Sequence, residues 1–260
     1  MSIFNGPTVK FEARTQESER GQVDYIADHV LFWPNTVQNH TVMGTAFTSL
    51  RSSLLFGTTN LAERAPDLSA QGFITEAKRW ATDARAPFVA AQKAVRAARD
   101  ASEATLRKPK VPVFAPDETP AVRADRRAWA RGLKLSDLVP VAMADPSLAA
   151  AIVEGGQPMS GLPEDIFERI RDVMVRANLA SYFMPATDFR TKPTADDPIA
   201  DLPDEAALEA YVSAIIANHA RDAEAVKAAP TILVDFIGAV ATLTDQRRED
   251  AFALLTGAAA

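Results

Sequence analysis

The chain contains no cysteine. That removes disulfides, thiolate metal sites and cysteine nucleophiles together, and it leaves the redox compartment undetermined. Histidine is nearly as scarce, with three in 260 residues. His29 follows Asp24 and Asp28, His40 sits early in a polar helix, and His219 lies on an apolar helix face with Asp222 one turn later. None has a second His or Glu at the three- or four-residue spacing that a helical zinc or di-iron site needs. His219 reads as a packed core histidine.

Other absences narrow the chemistry further. No Gly-rich phosphate loop is present, because Gly155-Gly156 follows a helical pattern and is explained as its C-terminal stop. Ser160-Gly161 and Thr256-Gly257 lack the strand-to-helix elbow that exposes a nucleophile. The acidic stretch Asp196, Asp197, Asp201, Asp204 and Glu205 lacks the alternate ligands and central glycine of an EF-hand, and it reads as a solvated loop. No cofactor and no metal are expected. Long apolar runs are missing as well. Val37 to Phe56 comes nearest to a span of about 18 residues, but Gln38, Asn39, His40 and Arg51 interrupt it, so no membrane span is expected. Met1 to Pro7 shows no basic region followed by an apolar run, so no signal peptide is expected. The expected location is soluble, in the cytoplasm or within an assembled particle.

What the chain does have is helix. Hydrophobic residues make up 47%, charged residues 24% and aromatics only 7%. With abundant alanine, that balance favours close helix packing over a β-sandwich. The strongest periodicity runs from Phe73 to Arg107. Its 3-4 seam is Ile74, Ala77, Ala81, Ala84, Phe88, Ala91, Val95, Ala98, Ser102 and Thr105, and no charged residue falls on it. Pro87 removes one backbone hydrogen bond, so a kink is expected there.

The expected fold class is mainly α: a helical hairpin with a long kinked helix, plus a C-terminal multi-helix bundle. Residues 1–34 read as an N-terminal arm in which Val9, Phe11 and Ala13 alternate as one short strand, with Val23 to Trp33 ambiguous and no second clear strand. Residues 35–108 form the hairpin. Asn35 serves as N-cap with Gln38 as its reciprocal partner, Gly44 lies inside the first helix, and Gly57 ends it. Residues 109–120 are a stiff Pro-rich linker whose Val111, Val113 and Phe114 suggest that it lies along a surface. Residues 121–260 form the C-terminal helical domain, with helices over Val122–Arg131, Ser136–Ala144, from Asp145-Pro146 to Gly155-Gly156, from Leu162-Pro163, and from Pro203 to about Ala228. A long loop covers 185–203, and Pro230 begins the last helical segment, which restarts at Thr244.

Charge is divided along the chain. Met1 to Thr75 carries a net −2, Glu76 to Lys134 a net +7, and Leu135 to the end a net −11, within a total of −6. The basic block is the sharpest lead. Its candidate interaction residues are Lys78, Arg79, Arg85, Lys93, Arg96, Arg99 and Arg107, followed by Arg123, Arg126, Arg127 and Arg131 around Trp129. Three readings apply: a solvated face, pairing with the acidic C-terminal part within or between chains, or neutralisation of nucleic-acid phosphates. The functional expectation is a non-enzymatic structural or assembly protein working through helix packing and charged surfaces, for example in a virion or another particle. Its partners would be other proteins or copies of itself. A nucleic-acid-binding or regulatory module using residues 78–131 is the alternative, and a helical enzyme without a recognisable motif comes third.

Overall fold

The computed structural model describes residues 13–105, 107–186 and 189–258. It is mainly helical, with a small sheet near the N-terminus, and it divides into two compact units. The first joins Met1–Ser102, described from Ala13 onward, to Ala220–Ala260, and the second is Glu103–His219. These boundaries differ from those expected at 34, 108 and 120, because the C-terminal segment completes the core of the first unit.

Residues 13–34 form a three-stranded antiparallel meander, β1 (Ala13–Ser18), β2 (Gly21–Ile26) and β3 (His29–Pro34), and not a lone strand. The alternation at Val9 and Phe11 lies outside the described residues. Two-residue turns join the strands, with Ser18 opposite Gly21 and Ile26 opposite His29. Ala27 in the second turn adopts φ +49°, the left-handed backbone that such tight hairpins require. Asp24, Ile26, Leu31 and Trp33 face inward and are buried, while Val30 and Phe32 face outward.

A short helix α1 (Asn35–Gln38) follows, then α2 (Gly44–Arg64), a 3-10 turn (Ala65–Asp67), α3 (Ala70–Asp83) and α4 (Arg85–Thr105). Asn35 does not cap by the expected reciprocal bond. Its side chain donates to the Glu19 carbonyl, and Gln38 Nε2 donates to the Trp33 carbonyl, so both serve to fasten the meander. His40 Nδ1 instead accepts from the backbone N–H of Val42 and Met43 just ahead of α2. Gly44 opens that helix and does not interrupt it. Gly57 lies in its interior, where an added Cβ would sit 1.8 Å from Trp80 Nε1. Glycine stands there because α3 approaches so closely.

The Phe73–Arg107 segment is one path in two pieces: α3 and α4 are separated at Ala84, three residues before Pro87, and the seam stays in phase. Ala77, Ala81, Ala84, Phe88, Ala91, Val95 and Ala98 are all buried. They share a core with α2, the inner face of the sheet, the C-terminal half of α10 (Glu205–Leu243) and α11 (Arg248–Thr256). Phe88 stacks on Phe236 with ring centroids 5.7 Å apart. Contrary to the expected break, α10 runs through Pro230 without interruption. It also holds the most apolar stretch, displacing Val37–Phe56. By length and composition an 18-residue window there is apolar enough to cross a membrane, with a mean hydropathy of 1.6, but half of it is buried in the fold, as core helices are.

The second unit is built around α7 (Pro146–Gly155), with α5 (Pro120–Gly132), α6 (Leu135–Ala144), α8 (Gln157–Ser160), α9 (Glu164–Phe183) and the start of α10. Leu148, Ala149, Ala150, Ala151 and Ile152 of α7 are buried, and the small alanines among them let α5 and α9 come close. Asp145 caps α7 by accepting from Ser147 and Leu148 N–H, and Thr119 caps α5. α6 continues through Pro140, where an interruption was expected.

Candidate functional site

The C-terminal end of α9 is one place where the second unit leaves apolar surface uncovered. Asn178 and Tyr182 stand one turn apart on one stripe of the helix, and Leu179 and Phe183 on the next. Leu179 is buried, Phe183 is half-buried, and Tyr182 is 76% exposed. An aromatic group holds this end in place. The Phe183 ring packs edge-on against Tyr182 at 5.0 Å and against Tyr211 at 5.1 Å, and Phe189 lies 5.0 Å from Tyr211.

Across from α9 runs the Pro-rich stretch. Its prolines cannot donate backbone hydrogen bonds, so it has no helix or sheet to satisfy its carbonyls. The Asn178 amide does so, donating to the Pro109 carbonyl at 2.8 Å and to the Val111 carbonyl at 3.0 Å. Between this strap and α9 lies a groove of about 630 Å³. Val113, Pro109, Leu179, Phe183 and Ile215 give it apolar walls, and Arg107 and Lys108 place two cations on its lining.

A second groove, about 410 Å³, lies between α2 and α3 in the first unit, lined by Phe56, Asn60, Trp80 and Asp83 among others. Polar and apolar surface are mixed evenly there, and the Arg64–Glu76 ion pair at 2.7 Å is part of its lining. It is the less suited of the two to burying an apolar partner.

The residues of the expected basic face are divided between the two units. Lys78, Arg79, Arg85, Lys93, Arg96 and Arg99 belong to the first unit, and Arg107, Arg123, Arg126, Arg127 and Arg131 to the second. Most of the second set is neutralised internally. Arg123 meets Glu154 at 2.9 Å with its guanidinium 4.3 Å over the Phe114 ring, and Arg127 pairs with the same Glu154. The hydrogen bond from Arg123 is the main reason the Glu154 carboxyl is held below its usual range. Arg126 pairs with Asp145 at 3.4 Å and lies 3.1 Å from Glu118 without hydrogen-bond alignment. Arg131 Nε donates to the Arg127 carbonyl, and Arg85 Nε to the Leu254 carbonyl. Arg79 lines the α2–α3 groove, and Lys78 is half-buried. Lys93, Arg96 and Arg99 are exposed on α4, with no ion-pair partner among the described residues. Of the eleven, Arg107 alone lines the α9 groove.

The three histidines sit in different settings. His29 Nε2 lies 2.7 Å from Thr242 Oγ1, and burial, assisted by Arg248, lowers its pKa below the ordinary 6.5 against the opposing pull of Asp28 and Asp235. His40, just ahead of α2, is buried, with Nε2 3.8 Å from Asp222. His219 is half-buried and not in the core as expected. In the 196–205 stretch, Asp201 accepts from Arg190 and Asp204 caps α10 through Ala207 N–H. Among the described residues no group of three or more His, Asp or Glu side chains is placed to hold a metal ion.

Asn178, Tyr182, Phe183 and Ile215 stand outside the basic block, so charge pattern did not point to them. The available signal was the apolar Val111 and Val113 between prolines, which implied a surface for the strap to lie on. Compared with protein-family models, curated protein sequences and solved structures, the chain matches none.

Proposed function

We propose that this protein is a non-enzymatic assembly protein that docks a partner protein in the α9 groove. The observation that carries this reading is the groove itself: apolar walls, a rigid aromatic end and a clamped strap around about 630 Å³ of open space. Contiguous exposed apolar surface with a polar rim is what interaction sites present. Exposed Tyr is a frequent anchor in such contacts, because it covers a large area at low entropic cost. The test replaces Tyr182 with a photoreactive amino acid in the cells that make the protein. Discrete protein adducts from position 182, absent from a control at exposed Arg99, are expected. No adducts from 182 would contradict the docking role.

One observation favours a second reading: the exposed, unpaired Lys93, Arg96 and Arg99 on α4 are free to meet phosphates. Fluorescence anisotropy with a random duplex at low salt decides it. Binding that is lost in Arg96→Glu with Arg99→Glu would promote nucleic-acid recognition, and no binding removes it.

A further inference from the structure

We propose that the occupant of the α9 groove is the Phe189–Asp204 loop of a second copy of this chain. The proposal rests on the docking role of the groove and names its partner. The loop is not a slack connection. Its base is closed by Asp204 N–H donating to the Phe189 carbonyl at 2.8 Å and Thr191 N–H to the Leu202 carbonyl at 2.8 Å. Arg190 Nε reaches Asp201 at 2.5 Å, and Leu202 N–H donates to Thr191 Oγ1. Farther out, Thr194 N–H donates to the Asp197 carbonyl at 2.9 Å, and Asp197 N–H donates to Thr194 Oγ1.

This self-bonded frame presents its aliphatic residues to water. Ile199 is 87% exposed and Leu202 72% exposed, so neither is covered by its own copy. An apolar side chain held outward on an ordered loop gains by burial wherever a matching surface is found. The α9 groove is such a surface. The charges match as well: Asp196 and Asp197 shortly precede Ile199, while Arg107 and Lys108 line the groove. Opposite charges around an apolar centre set orientation and reject wrong partners.

Loop and groove also lie at the same end of α9, since Phe183 of the groove wall packs 6.5 Å from Phe189 at the loop base. Two copies related by a two-fold axis each place their loop in the other's groove, and the contact closes as a dimer instead of running on as a filament.

Sedimentation velocity on the full chain at low salt tests this. The wild-type protein is expected to dimerise. Ile199→Asp, and separately Arg107→Glu with Lys108→Glu, should each weaken association roughly thirtyfold, the scale of a lost interface anchor. All three side chains are exposed, so circular dichroism and Tm should not change. Asp196→Lys should weaken association alone and restore it when mixed with the Arg107→Glu, Lys108→Glu chain, because both loop–groove pairs then oppose unlike charges. A wild-type protein monomeric up to its solubility limit, or a dimer that Ile199→Asp leaves intact, would overturn the proposal. The photoreactive residue at 182 separates the two levels. Adducts to a different protein from a monomeric chain would refute self-docking and keep the groove as a docking site, whereas no adducts would refute both.

Discussion

Gly57 and His29 show how single residues carry the first unit. In an exposed helix, Gly→Ala gains about 1 kcal/mol of helix propensity. At Gly57 the added methyl would meet the Trp80 indole, which is itself held by a hydrogen bond from Nε1 to the Ser53 carbonyl at 3.0 Å. Gly57→Ala should therefore destabilise, by about 1–3 kcal/mol, as overpacked sites do. A thermal melt checks the sign, since a raised Tm would mean that α3 yields easily. His29 supplies a pH dependence. Its folded pKa is depressed by burial and by Arg248, while the unfolded chain titrates near 6.5. Between those two values the unfolded state binds more protons, so the stability associated with His29 is complete above pH 6.5 and declines as pH falls toward the folded value. Urea melts on both sides of that pH should show a shallower slope for His29→Gln than for wild type. Equal slopes would contradict the burial argument.

At the scale of elements, the helices were legible and the sheet was not. The seam from Ala77 to Ala98 and the Asp145-Pro146 start of α7 follow from periodicity and cap chemistry. The meander did not show, because its turns are Glu19-Arg20 and Ala27-Asp28 and lack the Asn-Gly or Asp-Gly pairs that announce hairpins. Its buried Asp24 also disguises an inward-facing strand position as polar. That carboxylate is fully buried, bound by Arg51 Nε at 2.8 Å and Nη2 at 3.0 Å and by Thr15 Oγ1 at 2.7 Å, which ties α2 to the sheet. Arg51→Ala leaves the charge buried without its partner and should cost about 3–5 kcal/mol in urea denaturation. Arg51→Met combined with Asp24→Leu should recover much of that loss, since apolar replacement of a buried pair is often neutral. No recovery would show that the pair is worth more than its desolvation. In the second unit, Asn178→Ala removes both of its bonds to the start of the strap. Hydrogen exchange should quicken from Lys110 to Phe114 with little change in Tm, while unchanged exchange would mean that the strap is held by packing alone. This clamp was hidden in the sequence, because nothing links Asn178 to a proline stretch some 70 residues earlier.

At the scale of the whole chain, the division of charge along the sequence is in part resolved by ion pairs within the second unit. Two acids of the acidic C-terminal block, Glu154 and Asp145, neutralise Arg123, Arg126 and Arg127 inside the second unit. What remains open there is an apolar groove with Arg107 and Lys108 on its lining, and an ordered loop that displays Ile199 beside Asp196 and Asp197. The candidate site was thus only partly visible in the sequence: Arg107 belonged to the basic lead, but apolar walls built from three separate segments emerge only on folding.

The absence of cysteine makes the chain a clean background for locating that contact. One batch would carry Ile199→Cys, a second Val113→Cys in the groove, and a third Arg99→Cys on α4 as control. Mild oxidation of the first batch with the second should give a disulfide-linked pair of chains as the main product, with little linkage of the first to the third. Equal linkage to groove and control, or none to the groove, would contradict docking of the loop on the α9 surface.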